Sequence, residues 1–437
     1  MKSLPNQAME WSTQVRQALL AAQSETSRLR ERLAKESAMR RALHKKVQDQ
    51  RGTVRVYCRP RPPTKEASFV SVPSHDTLVV HQEILSEEKN DGEGSDGRGQ
   101  AEESGVMPSL PIGFEFDRVF APQSPQCEIY EEVESLVLDS LDGFSICILA
   151  YGQTGSGKTY TLFGDVVSCN DKEKAGVHLN AIHHLFAVAE KRSERYQDNF
   201  SISMLEVHED RLFDLIAGTA SGTKFGELVS AEAPLSKRRS RNSKRQSEES
   251  STASTLNAPQ KLEIKSNFDG DTVVQGLTSV PISCPTDVSD LWEECLAQRE
   301  ARLWDKNKSL ASHFAKSHIF VTVSVTSTNI ATGVSSVGKL QFVDLACSDF
   351  VPSVVGTTKS NNAANISIPI AKDWTYMNKS LTTLSEVVEA KCQFMRTVPY
   401  RNSTLTHLLR DCLEGDAKVL MFCCISSDAE DAQVSIT

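Results

Sequence analysis

The chain has 437 residues, 39% hydrophobic and 24% charged, enough for one large core with extensions or for two to three ordinary ones. No apolar run approaches the roughly 20 residues that span a bilayer, the longest being Phe144 to Tyr151, so no membrane partner is expected. A net charge of −9 argues against nucleic acid as a partner, and an acidic partner has to be met by a local basic face.

Met1 to Glu10 has no apolar core of a secretory signal, so a cytoplasmic address is expected. From Asn6 to Gln50 there is no glycine or proline, and Val15, Leu19, Ala22, Leu29, Leu33, Leu43 and Val47 follow a 4,3 spacing. That pattern predicts a helix with a coiled-coil seam over residues 1–52, through which a homo- or heterodimer would form. Thr26, Glu36 and Arg40 interrupt the seam, and a lone helix packed on the following domain competes with it. After Gly52, the β-rich runs Thr53 to Cys58, Leu78 to His81 and Phe114 to Phe120 open an α/β domain spanning 53–437. Glu87 to Gly105 and Ala217 to Pro259 are too poor in apolar residues to fold alone and read as surface insertions.

Within the second insertion, Lys237 to Arg245 carries six positive charges in nine residues. It reads as a solvated loop, with a tether for acidic tails or a nuclear address as alternatives; phosphorylation at Ser240, Ser243 or Ser247 would offset its charge. The later half alternates apolar runs (Phe200 to Val207, Ile319 to Ser327, Gly338 to Leu345, Val419 to Ile425) with a helical pattern from Met377 to Lys391. Such alternation favours a sheet covered by helices. The eleven cysteines lack metal-ligand spacing and read as reduced, buried thiols, with Cys423 and Cys424 in the last strand.

The strongest motif runs from Gly152 to Thr159 and fits G-x-x-x-x-G-K-[ST] in full. An apolar strand, Ile146 to Ala150, enters it and a helix can follow, so backbone N–H groups of Gly152, Gln153, Thr154, Gly155, Ser156 and Gly157 can close around phosphates. Lys158 would meet the β- and γ-phosphates, and the Thr159 hydroxyl would hold Mg²⁺. The motif alone does not choose between ATP and GTP.

The longer string from Ala150 to Gly164, Ala-Tyr-Gly-Gln-Thr-Gly-Ser-Gly-Lys-Thr-Tyr-Thr-Leu-Phe-Gly, resembles the phosphate loop of kinesin motor domains. Three further landmarks follow the family's order: Val54 to Pro62, similar to its opening strand; Met377-Asn-Lys-Ser-Leu381, similar to the start of its long helix; and Pro399 to Arg410, similar to its microtubule-facing loop and helix. The resemblance covers about Thr53 to Ser426. It implies a P-loop fold with a central mixed sheet flanked by helices on both faces, preceded by a neck helix, as in C-terminal-motor, minus-end kinesins. It also implies ATP/ADP and Mg²⁺ as cofactors, microtubules (tubulin) as partner, and a place on the microtubules or spindle. A further helix after Ile425 belongs to the family pattern and is expected to be missing here. Carried over by residue, the adenine would lie by Arg59, Arg61, Pro62 and Tyr160.

The resemblance weakens at the switches. Where the family's switch I reads N-x-x-S-S-R-S-H, residues 311–318 read Ala-Ser-His-Phe-Ala-Lys-Ser-His, so only Ser317 and His318 keep the pattern. Switch II reads Asp344-Leu-Ala-Cys-Ser-Asp349, with Cys347 in a glycine position. Asp344 would reach Mg²⁺ through water, while Lys316 and Asp349 keep the charge signs of the family's inter-switch pair without its bidentate geometry. The segment from Phe350 to Trp374 replaces the usual loop with one carrying only two basic residues, Lys359 and Lys372. Slow hydrolysis is therefore expected, with a nucleotide-insensitive microtubule adaptor or crosslinker as the alternative. Lys379, Lys391, Arg396, Arg401 and Arg410 are the candidate microtubule contacts.

Overall fold

The computed structural model describes residues 4–50, 52, 54–64, 68–81, 111–165, 174–217, 219, 262–267, 270–304, 317–348 and 368–428. The insertion at 87–105, nearly all of that at 217–259 with its basic run, the motif residues Ala311 to Lys316, Asp349, and everything after Asp428 lie outside them.

The helix α1 spans Leu4–Gln50, about 70 Å at 1.5 Å per residue. Its seam residues Val15, Leu19, Leu29, Leu33 and Leu43 are between 45% and 63% exposed, so this face does not pack on the following domain. Among the described residues, Arg40 reaches that domain, 3.3 Å from Asp142.

In chain order there follow β1 (Val54–Pro60), β2 (Val70–Ser71), β3 (Thr77–Val80), β4 (Ile112–Glu115), β5 (Arg118–Val119), α2 (Gln126–Asp139), β6 (Ser145–Gly152), α3 (Lys158–Phe163) and α4 (Val177–Lys191). Then come β7 (Tyr196–His208), β8 (Arg211–Asp214), β9 (Glu263–Ser266), β10 (Thr272–Gln275), β11 (Val280–Ile282) and α5 (Pro285–Trp304). The last elements are β12 (His318–Asn329), β13 (Ser335–Asp344), α6 (Ile368–Cys392), α7 (Thr404–Glu414) and β14 (Lys418–Ile425).

The main sheet has the order β11-β7-β12-β13-β6-β14-β1-β5, with β8 paired to β7. Its β11-to-β13 half is antiparallel and its β13-to-β5 half parallel, a mixed sheet as expected. Alternation along each strand splits the core in two. Ile146, Ile148, Phe342 and Phe422 face α2, α4 and α5, where Trp292 stacks on Phe163 with ring centroids 4.2 Å apart. Cys147, Leu149, Val343 and Val419 face α6 and α7.

Two boundaries differ from the sequence reading. The long helix begins at Ile368, nine residues before Met377, so the expected loop up to Trp374 ends inside a helix. The run Phe114 to Phe120 divides: β4 pairs with β3 in a small sheet, while β5 joins β1, because Asp117 turns the chain and its carboxylate accepts the Val56 N–H at 2.7 Å.

Candidate nucleotide site

β6 ends at Gly152 and α3 begins at Lys158, so the expected loop sits at the carboxyl end of a central parallel strand. A Cβ on Gly152 would lie 2.0 Å from the Cys424 carbonyl oxygen on β14, and Gly155 and Gly157 hold φ of 75° and 97°. Only glycine meets both demands without strain. Buried Lys158 donates from Nζ to the carbonyls of Gly152 at 2.9 Å and Gln153 at 2.8 Å, which places the ammonium over the loop. Ser156 closes the turn, its Oγ donating to the Gln153 carbonyl at 2.8 Å, while Thr154 is exposed.

Thr159 Oγ1 donates to Asp344 Oδ2 at 2.6 Å, joining the loop to the end of β13. Burial raises the Asp344 pKa above the ordinary carboxylate value, opposed by the Thr159 hydrogen bond and by the charges of Lys158 and Arg299. Its other oxygen, Oδ1, is buried with no hydrogen-bond partner among the described residues. An orphaned carboxylate oxygen beside a hydroxyl is a hard-oxygen donor set that fits Mg²⁺, and added positive charge there would favour the ionised carboxylate.

Arg59 of β1 and Arg61, just past its end, have different surroundings. Arg59 is buried and donates to Gln126 Oε1 and Thr161 Oγ1, both at 3.0 Å, with its guanidinium 5.4 Å from the Tyr160 ring centroid. It braces α3 from behind and supports the half-exposed Tyr160 ring, and burial lowers its pKa. Arg61 donates to the Gly155 carbonyl at 2.7 Å, to Ser426 Oγ at 3.3 Å, and to Asp428. It ties the phosphate loop to the end of β14, beside exposed Pro62.

On the switch side, Ser317 is not turned to the phosphate loop. Its Oγ donates to Glu206 Oε1 at 2.7 Å and accepts from Arg299, whose Nε donates to the same carboxylate at 2.6 Å. All three are buried. His318, which opens β12, accepts the Ala346 N–H at Nδ1 at 3.0 Å, leaving Nε2 to donate to Ser380 Oγ of α6 at 2.9 Å. Burial pushes its pKa down to about 3, so the ring is neutral in this role. One imidazole thus joins switch I, switch II and the long helix. Cys347 is fully buried, and the next residue, Ser348, donates its N–H to the Gly152 carbonyl at 3.0 Å. Lys316 and Asp349 lie outside the described residues.

Sequence reasoning missed Glu206 and Arg299. The available signal was a carboxylate inside the apolar run Phe200 to Val207; nothing local announced its partner 93 residues away. Among the five candidate basic contacts, Arg396 and Arg401 are exposed and Lys379 is 52% exposed, 3.5 Å from Asp210. Lys391 instead donates to the Leu413 carbonyl, and Arg410 to the Gly270 carbonyl and to Asp411 at 3.0 Å. These last two hold the fold's own elements together.

The sequence signature of the kinesin motor domain matches residues 80–437. The chain belongs to the kinesin motor-domain family. It is 31% identical over 419 residues to a kinesin-like protein KIN-14R of Arabidopsis thaliana, covering 95% of this chain and 32% of that one. It is 31% identical over 416 residues to the KIN-14J protein of Oryza sativa subsp. japonica, covering 92% and 40%. The chain therefore spans about a third of the length of such kinesin relatives. Two solved structures share the fold. One is the C-terminal motor and motor homology domain of Kar3Vik1 fused to a synthetic heterodimeric coiled coil, with TM-score 0.65, 24% identity, and coverage of 100% of this chain and 96% of that one. The other is the motor domain of the Kar3-like kinesin from Ashbya gossypii, with TM-score 0.60, 24% identity, and coverage of 88% and 96%. Kinesins are microtubule motors whose motor domains bind nucleotide with Mg²⁺.

Proposed function

We propose that this kinesin domain binds Mg-ATP and microtubules and turns ATP over slowly. The observation that carries the reading is the 2.6 Å contact of Thr159 with Asp344, whose second oxygen is orphaned and which lies three residues before Cys347. The metal and phosphate positions are kept, while the sensing segment carries a side chain where the family pattern has glycine. Lys158 and the loop amides would bind and orient the phosphates, and Arg61 would keep the loop in place. Tyr160 and Pro62 are open to receive a purine. Mg²⁺ would offset phosphate charge between Thr159 and Asp344.

A second reading, a nucleotide-insensitive microtubule adaptor, is favoured by the Ser348 N–H bond to the Gly152 carbonyl, which fastens switch II to the phosphate loop. In both readings Lys379, Arg396 and Arg401 supply the contact with acidic tubulin, and binding weakens with salt. The exposed seam of α1 fits a homo- or heterodimer. The setting is the cytoplasmic microtubule array or the spindle.

Steady-state ATP hydrolysis with and without saturating microtubules, beside cosedimentation in ATP, ADP and no nucleotide, tests the choice. Stimulated turnover with nucleotide-dependent release supports the motor. Binding that ignores nucleotide, without turnover above background, leaves the adaptor. In the motor reading, C347G combined with K316R raises turnover.

A further inference from the structure

A second set of reactive groups lies on the opposite side of the sheet from α2 and α4. Cys147 of β6 and Cys412 of α7 meet in the core beneath α6 and α7. Cys147 is the register partner of Gln341 on β13, the residue whose side chain Cys412 contacts. The Cys412 thiol donates to Gln341 Oε1 at 3.2 Å, and the Gln341 amide donates to Thr322 Oγ1 at 3.1 Å, so the chain of donors has one direction. Cys412 also lines a cleft of about 1110 Å³ whose walls include Gln341, Thr322 and Lys339. The Cys147 thiol beside it, joined by the charge of Lys339 and working against burial, holds Cys412 below the ordinary thiol value. The same pairing, with burial, pushes Cys147 well above it. A polarised thiol on a cleft with a second thiol beside it has the two parts of an oxidant-sensing pair, an attacking and a resolving cysteine.

We propose that Cys412 and Cys147 form a reversible oxidation site that takes a small two-electron oxidant of the peroxide class. The Cys412 thiolate attacks one peroxide oxygen, the O–O bond breaks, and the leaving hydroxide takes a proton as water, giving a sulfenic acid. The Cys147 sulfur then displaces the sulfenic oxygen, which leaves as a second water, and the S–S bond forms. Two thiols lose two protons and two electrons, and one peroxide becomes two waters. The product fastens α7 to β6 five residues before Gly152, so it joins the candidate microtubule-facing helix to the strand that carries the phosphate loop.

The test is a hydrogen peroxide titration of the full chain followed by peptide mapping without reductant, with and without later dithiothreitol. The expected result is a crosslinked peptide pair joining Cys147 to Cys412, reversed by dithiothreitol, formed in buffer and lost when the same dose is given in urea. Cys412→Ser should abolish that pair, while exposed Cys127 and Cys392 react as before. Wild-type mapping needs no variant to fold. The proposal is overturned if Cys412 is still a thiol when Cys127 and Cys392 have been oxidised. It is equally overturned if Cys412 passes to sulfinic acid without joining Cys147, or if the crosslink forms instead between Cys58 and Cys423, which lie opposite each other on β1 and β14.

Discussion

Around Gly152 to Thr159 the chain is held largely by its own backbone: glycine conformations, carbonyls that accept from Lys158 and Arg61, and a strand neighbour that leaves no room for a Cβ. Around Ser317 to Cys347 it is held by buried side chains drawn from β7, α5, β12 and α6. The difference teaches where each side is vulnerable. A backbone cradle fails when one atom is added, whereas a side-chain network fails when one partner is removed and another is left buried and unpaired.

The largest effect is expected from G152A. Its methyl group would overlap the Cys424 carbonyl, and fluorescent-nucleotide titration should show affinity lost by at least ~100-fold, about 2.7 kcal/mol. Unchanged affinity would mean that β14 can move aside and that the cradle is not rigid. Next come E206A and R299A, each stranding a buried charge at a cost of about 3–5 kcal/mol in denaturant unfolding. Replacing both with apolar residues of similar volume should cost clearly less than the sum of the single changes; simple additivity would dissolve the network.

Acid sensitivity sharpens the contrast further. Burial pushes His178, packed against Phe163 and Trp292, and His318 each down to about 3. In the unfolded chain a histidine titrates near 6.5. The stability each contributes by staying neutral is therefore whole above about pH 6.5 and is lost as pH falls from there towards 3, with a slope of up to about 1.4 kcal/mol per unit. Denaturation at pH 7.5 and 5.5 should show this loss on the acid side, and a variant lacking either histidine should show a shallower slope. The smallest effect is that of S380A, which removes the His318 acceptor on α6 for about 1 kcal/mol. Nucleotide affinity should hold in S380A while any microtubule stimulation falls; a change in nucleotide affinity alone would place the relay elsewhere.

Legibility in the sequence followed the range of the interactions. The phosphate loop could be read because its demands fall on eight consecutive residues, and the strands because each alternates within itself. The start of α6 is read too late in the sequence because the Ser- and Asn-rich composition upstream outweighs a helical signal that is present, the 4,3 spacing of Ile370, Trp374, Met377 and Leu381. Arg59 and Arg61 look alike in the sequence as purine contacts; in the fold Arg59 is turned inward to Gln126 and Thr161, and Arg61 holds Gly155. Arg59 lies on β1 and Arg61 one residue past its end, and only their tertiary surroundings separate a brace behind Tyr160 from a clamp on the loop.

The sequence by itself determined the phosphate cradle, the family, the neck helix and the mixed α/β architecture, since these rest on local spacing and on ordered landmarks. The tertiary structure alone decided the pairing of Glu206 with Arg299 and Ser317, the bridge of His318 from Ala346 to Ser380, and the meeting of Cys147 with Cys412. Each joins residues between 18 and 265 positions apart. No local pattern encodes such a contact, because it depends on which strands become neighbours and which face of each turns inward.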